Sequence, residues 1–132
     1  MKVLTLKQPW ATLVAEGIKK YEFRSWKINY RGKILIHAGA KVDKEAMKKF
    51  AGLNLTFPSK KILAEVEIVD CLFLDDELNK KIISENNIAY GNKKREGYAW
   101  MLDNIKKINY EKEINGKLGL WNYDEGLIKN KT

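Results

Sequence analysis

The stretch GIKKYEFRSW, residues 17–26, sets Lys19, Glu22 and Arg24 among Tyr21, Phe23 and Trp26. A carboxylate within reach of two cations forms ion pairs, a guanidinium grips a phosphate with two parallel hydrogen bonds, and an indole gives a base a face to stack on. Read as a strand, the stretch alternates between two faces. Tyr21 and Phe23 then share one face, and Glu22, Arg24 and Trp26 share the other. The first pair reads as core. The second set, with Lys19 just before it, suits an anionic, aromatic ligand: cations on phosphate, Trp26 stacking, Glu22 accepting from base amino groups or holding the cations in place. An exposed strand face with a surface ion pair worth ~0–1 kcal/mol fits the same pattern.

The elements around this stretch must position it. KVLTL is a short β-like run, and QPWATLVAEG reads as a helix with Pro9 at its first position and Gly17 as its stop. GKILIHAG is a strand, DKEAMKKFAGL a helix capped by Asp43, and KILAEVEIVDCLFL a long strand with Ile62, Ala64, Val66 and Ile68 on one face. DDELNKKIISENN reads as a short helix capped by Asp75 or Asp76. YAWML, IKKINY and KLGLWNY read as the last strands, with Gly116 at a turn before the third. Trp100 and Trp121 fall in these strand patterns and read as core. The whole predicts an α+β fold: a small mixed or antiparallel β-barrel flanked by two to three helices. One domain over residues 1–123 is expected, with a tail from Asp124 to Thr132 that buries little and frays.

The composition narrows the partners. The chain has 132 residues, 45% hydrophobic and 32% charged, which suits a packed core. No run approaches ~20 apolar residues, and MKVLTLKQPW is interrupted at Lys7 and Pro9, so neither a membrane span nor a signal peptide is expected. Cys71 is the only cysteine and His37 the only histidine, so neither a disulfide nor a soft-ligand metal cluster can be built. A cytoplasmic monomer without a cofactor is the expectation. Lys and Arg number 25 against 17 Asp and Glu, a net charge of +8, which favours polyanions such as nucleic acid. A lysine-rich genome would give the same balance.

GIKKYEFR also fits the pattern Gly-x-Lys-x-x-Glu-x-Arg, and so resembles the motif of ASCH domains within the PUA-like superfamily. LTLKQPWATLV resembles that family's opening strand and helix, YRGKILIHAG its second strand, and GYAWMLDNI followed by GKLGLWNY its closing strands. The resemblance covers about residues 1–123. It implies a PUA-like barrel with a cleft beside the motif, taking RNA or a nucleotide-like small molecule. It places Lys19, Glu22 and Arg24 at that cleft, with Gln8, Pro9 and Trp10 lining it from the helix start and Ser25 and Trp26 following the motif. His37, alternating with Ile36, is a further candidate for the cleft, although a lone histidine near a strand end is more often simply satisfied or exposed. Ser25 also reads as a turn residue, and Trp10 as a core anchor.

The resemblance raises hydrolysis as the alternative, since relatives include ribonucleases and a branch of amidohydrolases acting on acetylated cytidine. In that branch a threonine nucleophile stands where this chain has Glu22, so the matching nucleophile is absent, and Ser25 falls on the opposite strand face. A metal-independent enzyme would have to rely on Lys19 and Glu22 as catalytic residues, with Arg24 on the phosphate. A protein-interaction adaptor is the third reading. Lys93, Lys94 and Arg95, within NNIAYGNKKREGY, suit a phosphate contact or a solvated loop, and whether residues 86–98 form a lid is open.

Overall fold

ILIHA, residues 34–38, has almost no polar alternation, and a strand of that kind must be covered on both faces. In the computed structural model, which describes residues 1–90 and 94–124 and leaves the side chains at 87 and 88 aside, this run is the middle of β3 (Gly32–Val42). β3 lies between β1 (Lys2–Gln8) and β4 (Lys61–Phe73). It runs parallel to β1, with Thr5 opposite His37, and antiparallel to β4, with Ile34 opposite Val66. β2 (Tyr21–Arg24) and β5 (Tyr98–Lys107) extend the sheet on one side and β6 (Leu120–Asn122) on the other, giving the order β2-β5-β4-β3-β1-β6.

The architecture is α+β with a mixed six-stranded sheet. Among the described residues no ladder joins the edge strands β2 and β6, so the barrel is open. Arg24, ending β2, and residues 115–119, leading into β6, nevertheless line one cleft. The sheet curls until its two edges face each other across a seam.

Its concave face holds the largest core cluster. Leu4, Ile34, Ile36, Ala64, Val66, Ile68 and Trp100 pack there against Ala11 and Val14 of α1 (Trp10–Ala15). Ala64, Val66 and Ile68 of the β4 face expected to be apolar are buried here. Ile62, expected with them, lies past the register shift between Ile36 and His37 and joins the other face. On the other face, Val3, Leu35, Ile62 and Trp121 are covered by Tyr110 and Ile114. A third cluster packs Tyr21 and Ala99 under Leu74, Ile82 and Tyr90, around α3 (Asp76–Glu85) and the single turn α4 (Asn87–Tyr90).

Local chemistry accounts for most of the helix ends. Asp43 accepts from the Ala46 amide at 3.1 Å and starts α2 (Lys44–Lys49); Asp75 accepts from the Leu78 amide at 2.8 Å and starts α3. Pro9, expected at the first helical position, instead precedes α1 after a cis bond from Gln8. IKKINY, expected as a separate strand, divides: residues 105–107 finish β5, and 108–110 leave the sheet. Asp103 and Asn104 supply no turn, and Asn104 takes a left-handed φ of 52° that bends the strand rather than reversing it. Of the expected tail from Asp124 to Thr132, residues 125–132 lie outside the described residues, as does Lys93. No helix among the described residues is long and apolar enough to cross a membrane.

Candidate functional site

The end of α1 delivers the motif. Gly17 has φ +76°, its amide bonds to the Val14 carbonyl at 3.0 Å, and the Ile18 amide bonds to the Leu13 carbonyl at 2.9 Å. This is the Schellman closure that a glycine after a helix permits. The Lys19 amide also reaches the Leu13 carbonyl, at 3.0 Å, so the chain folds back under the helix before β2 begins. The Lys19 side chain is thereby only 4% exposed. Its ammonium donates to the Tyr21 carbonyl and to Glu22 Oε1, the latter at 3.3 Å, and lies 4.9 Å from the centre of the Phe23 ring. Burial pulls the Lys19 pKa below its ordinary value; Glu22 opposes the shift, while Arg95 and Arg24 add to it.

Glu22 uses its other oxygen for Arg24. Arg24 Nε donates to Glu22 Oε2 at 3.1 Å, and Nη2 lies 3.0 Å from the same oxygen as an ion pair. One nearly buried carboxylate thus joins a buried ammonium to a partly exposed guanidinium. Glu22 pairs in register with Trp100 of β5, and the fully buried Trp100 ring lies 5.9 Å from the Arg24 guanidinium. Trp26, 41% exposed, meets the same ring edge-on at 4.7 Å between centroids, and Trp100 Nε1 donates to the Trp26 carbonyl at 3.4 Å. Lys19, Glu22, Arg24 and Trp26 are therefore brought together. Tyr21 and Phe23 turn the other way, onto Tyr90.

Two clefts border Arg24. The seam, about 470 Å³, is lined by residues 5–7, 39–41 and 115–119 with Arg24. It carries the cations Lys7, Arg24, Lys41 and Lys117 and no carboxylate among its lining residues. Leu118 at its rim is 99% exposed. The second cleft, about 550 Å³, is lined by Phe23, Arg24, Ser25, Lys94, Arg95 and Glu96. Ser25, on the far face of the strand pattern from Glu22, belongs here. Gly97 makes the close approach possible: at its φ of +98° a Cβ would stand 2.5 Å from the Arg24 carbonyl oxygen.

Gln8, Trp10, Trp26 and His37 line neither cleft. Gln8 is 1% exposed; its Oε1 accepts from the Thr12 amide at 3.0 Å, and its Nε2 donates to Thr12 Oγ1 and to the Pro58 carbonyl, both at 2.8 Å. It caps α1 from outside and takes an amide that an anion would otherwise use. Trp10 packs edge-on against Phe50 at 6.0 Å. His37 is fully buried, with Nε2 2.6 Å from the Ile114 carbonyl and Nδ1 3.1 Å from Thr5 Oγ1. A carbonyl only accepts, so Nε2 carries a proton. Trp121 Nε1 donates to Thr5 Oγ1 at 3.0 Å, which leaves the hydroxyl proton for His37 Nδ1 and completes a neutral chain of hydrogen bonds. Burial lowers the His37 pKa against the opposing bond to Ile114. The ring anchors the segment that enters the seam.

Arg95 gains weight from the structure. Asn79, 5% exposed on α3, donates to the Arg95 carbonyl at 3.0 Å and accepts from its amide at 2.8 Å, while the guanidinium lies 4.3 Å from the Phe23 ring centre. Asn79 has no sequence signal, because a two-point backbone clamp needs only an amide at the right place. Lys7, Lys41 and Lys117 each lie next to a strand end or a glycine, where lysine is ordinary. The Gly-Lys-Leu-Gly run at 116–119 is the one legible sign, a leucine between two glycines. No cluster of three or more metal-ligating side chains occurs among the described residues.

Comparison with known proteins places this geometry in a family: the ASCH domain model matches residues 4–115. The chain belongs to the ASCH domain family. This ASCH domain is 27% identical over 138 aligned positions to Activating signal cointegrator 1 of Homo sapiens and 25% identical to that of Mus musculus, in each case over 94% of this chain. It spans 22% of the length of those relatives. It superposes on the crystal structure of ASCH from Zymomonas mobilis with a TM-score of 0.52 at 16% identity, over 86% of this chain and 72% of that one. That likeness is one of fold.

Proposed function

We propose that this ASCH domain binds RNA or a nucleotide-like ligand in the seam beside residues 17–24, with Arg24 on a phosphate. The observation that carries the reading is a cleft with four cations and no carboxylate in its lining, one of them a guanidinium fixed in place by Glu22. A preorganised guanidinium loses little side-chain freedom on meeting a phosphate, and the cations around it raise the local concentration of a polyanion. The family's proposed link to RNA supports the same reading. Within it, Lys19 and Glu22 are positioning residues that aim Arg24, and Leu118 at the rim of the seam offers apolar surface to a base. We take the protein to act as a cytoplasmic monomer.

Titration of a fluorescein-labelled single-stranded RNA at several salt concentrations tests this. Arg24→Ala should weaken binding and lower the slope of log K against log salt by ~0.7, the value of one phosphate contact on a single strand. Unchanged affinity and slope would remove Arg24 from the interface. The hydrolase alternative rests on the lowered Lys19 pKa, which is the direction a general base needs. Lys19 lines neither cleft, however, and its ammonium is bound to Tyr21 and Glu22. Turnover of RNA pools or acylated nucleosides in EDTA, lost in Lys19→Met, would reverse this preference.

A further inference from the structure

Arg24 forms part of the lining of both clefts. Its Nε and Nη2 are committed to one Glu22 oxygen, while Nη1 has no partner among the described residues. Cations flank it on either side, Lys7, Lys41 and Lys117 in the seam and Lys94 and Arg95 in the second cleft. Asn79 clamps the Arg95 backbone, Phe23 carries its guanidinium, and the approach at Gly97 holds this segment against the end of β2. Two hollows of similar size, each suited to a small ligand, thus share a single guanidinium.

Resting on the reading above, we propose that the ligand is an unpaired oligonucleotide of at least two nucleotides, crossing Arg24 with one nucleotide in each cleft and their linking phosphate on the guanidinium. A mononucleotide fills one hollow and leaves the other without a phosphate for Arg95 and for Lys94, whose exposed ion pair with Asp76 a phosphate can replace. A duplex keeps its bases stacked inside, where they cannot enter a cleft, whereas unpaired bases splay out and stack on side chains. The Glu96 carboxylate gives the second cleft an anionic acceptor, whereas the seam offers only neutral ones such as the Asn115 amide, so the two nucleotides meet different chemistry.

A length series on the unmutated protein tests this: a nucleoside 5′-monophosphate, the corresponding dinucleotide, a tetranucleotide, and a duplex of matched sequence. The dinucleotide should bind about tenfold more tightly than the monophosphate, as expected when a second base gains a stacking or cleft contact. The duplex should bind more weakly than the tetranucleotide. Lys94→Ala should weaken the dinucleotide and leave the monophosphate unchanged, while Lys117→Ala should weaken both. Equal affinity for monophosphate and dinucleotide, or preference for the duplex, overturns the two-cleft assignment and leaves the seam reading standing. Failure of all four ligands to bind overturns both.

Discussion

Glu22→Gln is the most informative single change in the motif. The glutamate holds the Lys19 ammonium at 3.3 Å and the Arg24 guanidinium at 3.0 Å, and Lys19 is only 4% exposed. Removing one partner of a buried pair costs ~3–5 kcal/mol, because the remaining charge stays buried without compensation. Glutamine keeps a hydrogen-bond acceptor for Lys19, and the half-open Arg24 is relieved by water, so a loss of ~2–3 kcal/mol is expected. That corresponds to a fall in Tm of roughly 10 °C for a chain of this size. Lys19→Met alone should cost less, ~1 kcal/mol, because Glu22 keeps Arg24. The double variant Lys19→Met/Glu22→Gln should recover most of the glutamine loss, since an apolar replacement of a buried pair is close to neutral.

The pH dependence has a definite sign. Burial holds the Lys19 pKa below that of the unfolded chain, so in the window from that lowered value up to about 10.5 the unfolded state binds more protons, and stability rises with pH. Glu22 is what opposes this shift, so its removal lowers the Lys19 pKa further. The penalty of Glu22→Gln should therefore shrink as pH rises through the window. Urea denaturation of the four proteins at pH 7 and pH 10 gives the cycle. A Glu22→Gln loss within ~0.5 kcal/mol of zero, or additive single and double variants, would refute the account of Glu22 as the link between Lys19 and Arg24.

Other consequences are simpler to measure. Gly17→Ala leaves an ordinary 3.6 Å contact to Ile105 but forces a side chain into a φ of +76°, so urea denaturation should show a loss of ~1–2 kcal/mol. Because the folded His37 pKa is lowered, stability should fall as pH drops through the window below about 6.5, and the slope there should flatten in His37→Gln; an unchanged slope would place the titration elsewhere. Leu118→Ala, at a side chain 99% exposed, should leave Tm within about 1 °C while weakening RNA binding about fivefold through the lost apolar contact. Equal binding would take that loop tip out of the interface.

The sequence carried the helices and the faces of the motif well, because those depend on local rules. Asp43 and Asp75 cap where acceptors precede helix formers, Gly17 stops α1, and the alternation of residues 21–24 separates Tyr21 and Phe23 from Glu22 and Arg24. What it did not carry depends on distant parts of the chain. Lys19 reads as a cleft cation for a phosphate until the backbone folds under α1 and buries it. His37 reads as able to face a cleft until residues 108–116 cross the sheet and supply the Ile114 carbonyl. The same crossing explains why IKKINY is only half a strand. Gln8 reads as an interfacial amide, yet three hydrogen bonds, two to Thr12 and one to Pro58, consume it. Asn79 and Arg95 lie 16 positions apart, and nothing in either residue announces the clamp.

The most direct test of the seam is a titration of the 15N-labelled protein with a short single-stranded RNA, followed by amide and arginine side-chain NMR signals. The account predicts that the largest shifts fall on Arg24 and on residues 5–7, 39–41 and 115–119, with α2 unmoved. Shifts concentrated on α2 or the outer face of β4, with Arg24 and the seam unchanged, would contradict it.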